Sequence, residues 1–160
     1  MSRPRLALLI ATLLGLLTLL LWFTSTTQVI HRRIHSLFDS ATFASPLSPS
    51  ASRLRTLTLE NLLANSIALN IPAAKIHATY PRDEFLSGFA FFLQDTPSCQ
   101  FDDLRIVSLH IDGTHATARV TFVSKFRAPP RGFPDGPQSA TLSFIHASGA
   151  WRVTSLSVDP

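Results

Sequence analysis

The chain has 160 residues, of which 46% are hydrophobic and 15% are charged; 14 Lys and Arg against 10 Asp and Glu give a net charge of +4. This length accommodates one domain, and the hydrophobic content excludes an intrinsically disordered chain. Four of the arginines lie within the first 33 residues, and no basic run follows them. The spacing of nucleic-acid-binding motifs does not occur, so no nucleic-acid partner is predicted.

The first predicted element is an uncharged apolar segment, LALLIATLLGLLTLLLWF, from Leu6 to Phe23. As a helix it would extend roughly 27 Å, close to the hydrocarbon thickness of a bilayer. A cleaved signal peptide has a shorter apolar region, of about 7–15 residues, and ends at small residues. Because TSTTQ follows here, we interpret the segment as an uncleaved anchor in a lipid bilayer, with a cleaved signal peptide as the alternative.

Charged residues on the two sides of this segment predict its orientation. Arg3 and Arg5 directly precede it, whereas Arg32 and Arg33 come nine and ten residues after Phe23. Positive charges close to a membrane helix favour the cytoplasmic side. We therefore predict a single-pass protein of the bacterial inner membrane, with its C-terminal domain outside the cytoplasm.

Changes of composition along the sequence divide the chain into three parts. Residues 1–30 contain the anchor, residues 31–54 comprise a juxtamembrane helix and a linker, and residues 55–160 form a globular domain. QVIHRRIHSLF predicts a juxtamembrane helix, either lying against acidic headgroups or continuing the membrane helix into water. DSATFASPLSPSAS is rich in Ser, Ala and Pro and is typical of a flexible linker. The only cysteine, Cys99, lies far from the anchor, so a lipoprotein attachment beside the membrane and an internal disulfide are both excluded.

Three helices are predicted at the start of the globular domain. The first has Thr58 as its N-cap and ends before Pro72. The second, PAAKIHATY, begins at Pro72. The third, PRDEFLSGFAFFL, begins at Pro81 and has Asp83 and Glu84 in its first turn, where the helix dipole favours acidic side chains.

The apolar pattern then alternates, which predicts four antiparallel strands in two hairpins. LRIVSLHI and THATARVTFVSKF are joined at Asp112-Gly113, and ATLSFIHA and AWRVTSLSV at Ser148-Gly149. A two-residue loop at Asp112-Gly113 would pair His110 with His115. The predicted apolar faces comprise Val107, Leu109, Ile111, Ala116, Ala118, Val120 and Phe122 in the first hairpin, and Leu142, Phe144, Trp151 and Val153 in the second.

His110 and His115 would then be neighbours on the polar face at the tip of a hairpin. Two imidazoles can bind a metal ion, but protein sites use three or four ligands, and the pattern places no further Cys, His or carboxylate beside them. We interpret both as solvated turn histidines. No metal and no cofactor are predicted.

Three helices followed by a curved four-stranded meander that ends in GAWRVTSLSV resemble the nuclear-transport-factor-two-like, or cystatin-like, cone fold. The resemblance covers about residues 56 to 159 and implies an α+β domain. Small bacterial envelope proteins with one N-terminal membrane helix and a tether are similar. The superfamily also contains enzymes of the ketosteroid-isomerase and polyketide-cyclase types, which place acids and tyrosines inside the cone.

The apolar faces predicted above carry no Asp or Glu, whereas proton transfer needs a general base within reach of the substrate. No catalytic residue is therefore predicted. A ligand pocket inside the cone would involve Tyr80, His146 and Trp151. Tyr80 is equally explained as a packing residue beside Pro81, and His146 as a core histidine that bonds to backbone or water.

The segment APPRGFPDGP between the hairpins cannot continue either strand and is predicted to project. Partner-binding candidates there are Phe133, Arg131, Pro130 and Pro134, because stiff prolines lower the ordering cost of binding; the alternative is a spacer with Phe133 packed on the sheet. The predicted function is a membrane-anchored extracytoplasmic binding or scaffold domain without catalytic activity, with a protein partner in the membrane or envelope. The alternative is a small-molecule-binding or isomerase-like enzyme that uses the interior of the cone.

Overall fold

The structure of the chain is a computed structural model, which describes residues 12–15, 25–127 and 135–159. The chain divides into two compact units, Met1–Arg32 and Arg33–Pro160. Residues 12–15 are helical, and most of the predicted anchor, 6–23, lies outside the described residues. Across the described ranges, no helix combines the length and the apolarity needed to cross a membrane.

The described residues from 25 onwards form three α-helices, one short 3-10 helix and six strands. In chain order these are α1 (Thr26–Ala41), α2 (Pro49–Leu62), β1 (Leu63–Ile71), the 3-10 helix (Pro72–Ala74), β2 (Ile76–Pro81), α3 (Arg82–Asp95), β3 (Ser98–Asp112), β4 (His115–Arg127), β5 (Gly136–Ala147) and β6 (Ala150–Val158). The strands form one sheet in the order β2-β1-β6-β5-β4-β3. All neighbours are antiparallel except β1 and β6, which are parallel. The predicted α+β class is confirmed.

The prediction of four strands is wrong, because β1 and β2 occupy residues predicted to be helical. Lys75 adopts a left-handed conformation with φ 57° after the 3-10 helix, and this reverses the chain into β2. Ile67 then pairs with Tyr80, and Ile71 with Ile76. The alanines of PAAKIHATY favour a helix locally, but the pairing of the two strands overrides that preference.

The predicted N-cap of the first helix is also wrong. The helix α2 begins nine residues earlier, at Pro49, within the segment predicted as a linker. Ser48 is its N-cap, since its hydroxyl accepts a hydrogen bond from the Ala51 N–H at 3.3 Å, and Pro49 fits the first helical turn. Thr58 instead lies inside the helix, where its hydroxyl donates to the Leu54 carbonyl.

The helix predicted for QVIHRRIHSLF is present as α1, and apolar side chains of its second half are buried in the compact unit. Ile34 is 0% exposed and Phe38 is 8% exposed, and the Phe38 ring contacts Phe101 and Phe122 of the sheet. The compact unit therefore begins at Arg33 and takes in this half of α1.

The first hairpin forms at the predicted turn with a different register. Asp112 pairs with His115 and His110 with Thr117, so Gly113 and Thr114 form the loop; Gly113 has φ 56°, a conformation that glycine adopts without strain. A β-bulge between Ile106 and Ser108 then reverses the alternation. As a result Val107 is 60% exposed, which corrects its predicted place on the apolar face.

The second hairpin is confirmed, with β5 and β6 joined at residues 148–149. The core lies between the helices and the inner face of the sheet. Its buried side chains include all four residues predicted for this hairpin and further residues from the helices and the other strands: Ile34, Phe38, Leu59, Leu62, Leu86, Leu93, Ile67, Ala116, Ala118, Val120, Phe122, Leu142, Phe144, Trp151 and Val153.

Candidate functional site

A cleft of about 860 Å³ opens on the inner side of the sheet. It is bordered by α1, by the corner where β1 meets the 3-10 helix, and by strands β3 to β6. Its apolar wall consists of Phe38, Ile71, Pro72, Ala73, Phe101, Phe122, Phe126, Leu156 and Val158. We refer to this space as the apolar cleft.

Three phenylalanine rings form one wall of the apolar cleft, and each contacts the other two. The ring centroids of Phe38 and Phe122 are 4.9 Å apart, and Phe101 lies 5.4 Å from each of them. The contacts of Phe101 with these two rings are edge to face, an arrangement that aromatic pairs favour. Three mutually packed rings restrict one another, so this wall keeps its shape.

Polar and charged residues also border the apolar cleft: Asp103, Arg105, Thr121, Ser124, Gln138, Ser139 and Asp159. Gln138 lies directly opposite Phe122 in the register of β4 and β5, which places it on the inner face of the sheet. Ser124 is buried, and its hydroxyl donates to the Gly136 carbonyl at 3.2 Å. The amide of Gln138 is thus the polar group best placed to orient a bound molecule.

Two carboxylates border the same cleft, and neither is a buried group free to take a proton from a ligand. Asp103 is exposed and sits in a bulge of β3 with φ 52°. Asp159 is half-buried, forms an ion pair with Arg119 at 2.9 Å and accepts a hydrogen bond from the Ser139 hydroxyl. Its Oδ2 therefore already accepts from a cationic and a neutral donor.

A second pocket, of about 460 Å³, lies on the outer face of the sheet. Alternation along β6 shows the side: Trp151 and Val153 are buried in the core, whereas Arg152 and Thr154 line the pocket. The first residue of α3, Arg82, also lines it, with Asn65, Ser66 and Thr79. We call this space the basic pocket.

The residues predicted for a pocket inside the cone lie elsewhere. Tyr80 is half-buried on β2, and His146 is exposed with its ring centroid 5.2 Å from that of the buried Trp151. Of these three described residues, none lines the apolar cleft or the basic pocket. The predicted contact between His146 and Trp151 is present, but the interpretation of His146 as a core histidine is wrong, because its side chain is exposed near the end of β5.

The two turn histidines are both exposed and occupy diagonal rather than opposite positions on β3 and β4. Within the described ranges, no group of three or more His, Cys, Asp and Glu side chains is arranged to hold a metal ion. The partner-binding candidates Pro130, Arg131, Phe133 and Pro134 lie outside the described residues.

Cys99 belongs to a buried cluster with Phe43 and Leu93 and is 0% exposed. Burial raises the pKa of this thiol to about 12, because the thiolate would lose its hydration. A thiol that keeps its proton is a poor nucleophile.

The sequence did not indicate where either cavity lies. Phe38 and Ile71 come from a segment predicted as juxtamembrane and from a predicted helix, and they meet the sheet only through the tertiary fold. Arg82 and Arg152 lie 70 residues apart, and the turn into β2 brings them together. The one available signal was the phenylalanine at the end of the apolar face of QVIHRRIHSLF.

No family model and no curated protein matches the sequence. Solved structures do match the fold. The Kfla4162 protein of Kribbella flavida superimposes with a TM-score of 0.64 at 11% identity, covering 81% of this chain and 86% of its own. A protein with a cystatin-like fold from Caulobacter vibrioides gives 0.57 at 17% identity, covering 84% and 89%. An NTF2-like protein from Silicibacter pomeroyi gives 0.54 at 13% identity, covering 85% and 98%.

Proposed function

We propose that the chain is a membrane-anchored, non-catalytic binding domain that holds an apolar ligand in the apolar cleft. The NTF2-like, cystatin-like fold of the domain is common to the structures above, and at their low identity the fold is all that they share with it. The observation that carries the proposal is the wall of the cleft, which is made of aromatic and aliphatic side chains.

The size and chemistry of the cleft suit a small apolar molecule. Ligand pockets have volumes of about 300–1,000 Å³ and combine apolar walls with a few polar groups. The cleft, at about 860 Å³, lies within that range and has Gln138 as its inward-facing amide. A neutral ligand with one hydrogen-bonding group would therefore match it better than an ion.

The state of the carboxylates supports binding without catalysis. A general base acts through a shifted pKa and an unobstructed path to the substrate. Asp159 is engaged by Arg119 and Ser139, and Asp103 is exposed to water. The alternative, an isomerase-like enzyme, would have to use Asp103 from the rim of the cleft.

The apolar sequence Leu6 to Phe23 supports the anchoring, and the arginines before it support an extracytoplasmic domain. On this proposal the domain would present its ligand at the outer surface of the bacterial inner membrane. The loop containing Phe133 would contact a protein partner in the envelope.

The proposal is tested by closing the cleft with Ala73→Trp. Ala73 is exposed on the 3-10 helix and borders the cleft, so an indole there can enter the cleft at small cost to the fold. The probe is N-phenyl-1-naphthylamine, a neutral apolar molecule whose rings shift nearby methyl resonances. In the methyl-labelled wild-type chain in an uncharged detergent, we expect the probe to shift the methyl resonances of Ile71, Leu156 and Val158. Ala73→Trp should bind the probe about tenfold more weakly, equivalent to 1.4 kcal/mol.

Ala78→Trp is the matched control, because Ala78 is exposed on β2 and does not line the cleft. It should bind the probe as the wild type does. Equal loss of binding by both variants, or shifts spread evenly over methyl groups away from the cleft, would show that the probe does not occupy this site.

A further inference from the structure

We propose that the basic pocket binds a phosphate group. Its lining brings two guanidinium groups, Arg82 and Arg152, beside the polar side chains of Asn65, Ser66, Thr79 and Thr154. None of the described residues that line it is acidic. The pocket lies across the sheet from the apolar cleft, so this inference is independent of the function proposed above.

A third arginine, Arg33, does not line the pocket but interacts electrostatically with Arg152. The pKa of Arg33 is lowered, first by burial and then by the charge of Arg152, which places the two guanidinium groups close enough to repel each other. The Nη1 of Arg33 donates to the Asn61 carbonyl at 3.1 Å, which holds it in position. An anion bound beside Arg152 would offset this repulsion.

The guanidinium groups retain capacity for a ligand. The Nε of Arg82 is buried and has no hydrogen-bond partner among the described residues, an unfavourable state for a charged donor. Its one ion pair to a described residue, to Asp83 at 3.9 Å, involves a carboxylate that is 92% exposed and therefore screened by water. Arg152 donates to the Leu63 carbonyl at 3.3 Å, which uses one of its five N–H groups.

The start of α3 adds a further favourable element. The helix begins at Arg82, and Pro81 supplies no side-chain cap for the first N–H groups. Free N–H groups at a helix N-terminus favour anions. Asp83 and Glu84 in the same turn offset part of this field, but both are exposed, whereas the two guanidinium groups border the pocket itself.

These features favour phosphate among the anions. Arginine matches the geometry of phosphate oxygens through paired N–H groups, and two arginines match its charge. The hydroxyl and amide groups around them can meet the remaining oxygens. The pocket, at about 460 Å³, also has room for an organic group attached to the phosphate. A soluble phosphate ester and an anionic lipid headgroup both present this chemistry.

Isothermal titration calorimetry of the full chain in an uncharged detergent distinguishes these sources. The probes are inorganic phosphate and dihexanoyl phosphatidylglycerol. Binding of phosphate alone supports a soluble phosphate ester, and binding of the lipid alone, or of both, supports recognition of a headgroup phosphate. Binding of neither probe would overturn the inference.

Arg82→Gln tests the site itself, since the Nε of Arg82 has no described hydrogen-bond partner that the fold would lose. We expect about tenfold weaker binding of the probe, and a similar loss for Arg152→Gln. Because Arg152 also donates a hydrogen bond to the Leu63 carbonyl, the thermal midpoint of Arg152→Gln is measured together with its binding. Arg53→Gln removes the same charge from an exposed site on α2 and should change the Kd less than about twofold. Equal loss in Arg53→Gln would show that diffuse charge, not the pocket, binds the anion.

Discussion

Phe38→Ala tests whether α1 forms one wall of the apolar cleft, as the ring contacts indicate. Phe38 is 8% exposed and meets the rings of Phe101 and Phe122 at 5.4 and 4.9 Å. The substitution removes both aromatic contacts and the burial of the ring. The stability of the whole chain should therefore fall.

The magnitude follows from where the vacated space would lie. Truncation of a buried phenylalanine to alanine costs about 3–5 kcal/mol, part of which comes from the cavity left behind. Phe38 borders the apolar cleft, so the space it leaves joins an existing opening and is not a sealed void. We therefore expect the free energy of unfolding to fall by about 3 kcal/mol, the lower end of that range. This loss includes about 0.5–1.5 kcal/mol for each aromatic contact.

Urea unfolding of the full chain in an uncharged detergent, followed by circular dichroism, measures this loss; the slope with denaturant should stay constant. Phe91→Ala is the matched control, because it deletes the same atoms from a side chain that is 68% exposed. It should change the free energy of unfolding by less than about 0.5 kcal/mol. If the two variants differed by less than about 1 kcal/mol, Phe38 would not be packed as described.

Two further predictions concern the buried thiol and the anchor. Burial raises the pKa of Cys99 from 9.0 to about 12, so as the pH rises above 9 the unfolded chain releases the thiol proton first. Between pH 9 and 12 the free energy of unfolding of the wild type should therefore fall, relative to that of Cys99→Ala, by up to about 1.4 kcal/mol per pH unit. If the urea midpoints of the two proteins differed by the same amount at pH 8 and at pH 10, this prediction would be wrong. For the anchor, the full chain should stay in the membrane pellet after a carbonate wash. Leu14→Arg should release part of the protein, since an arginine at the centre of a membrane helix costs about 2.5–3.5 kcal/mol on insertion. Ser25→Arg, which lies outside the apolar segment, should not release it. Release of the wild type would contradict the anchoring.

Local sequence was sufficient where local interactions decide the structure. The second hairpin was predicted correctly because alternating apolar residues flank Ser148-Gly149, and Gly149 adopts φ 76°. Asp83 and Glu84 likewise lie in the first turn of α3, as the helix dipole favours. These features depend on neighbours within a few residues.

The strand β1 could not be predicted in this way. Its most buried residues are Leu63, Ile67 and Ile71, which are four residues apart, as on one face of a helix. Residues four apart also share one face of a strand, so this spacing fits a helix and a strand alike. The pairing of β1 with β6 also contains a register irregularity between Leu63 and Ala68. The partner that specifies β1 is almost 90 residues away, so no local pattern reports it.

A register irregularity in the pairing of β5 with β6 likewise determines which side chains of β6 line each cavity. Trp151 and Val153 face the core, and strict alternation would turn Leu156 and Val158 to the outer face. The register instead shifts between Ser143 and Phe144 of β5, which leaves one extra residue, Thr154, in β6.

This bulge returns Leu156 and Val158 to the inner side, where both line the apolar cleft, and it leaves Thr154 beside Arg152 in the basic pocket. Two binding surfaces of opposite chemistry thus share one strand, on opposite faces of the sheet. Because different side chains of β6 form each surface, substitutions in the apolar cleft should leave phosphate binding intact, and substitutions in the basic pocket should leave binding of the apolar probe intact.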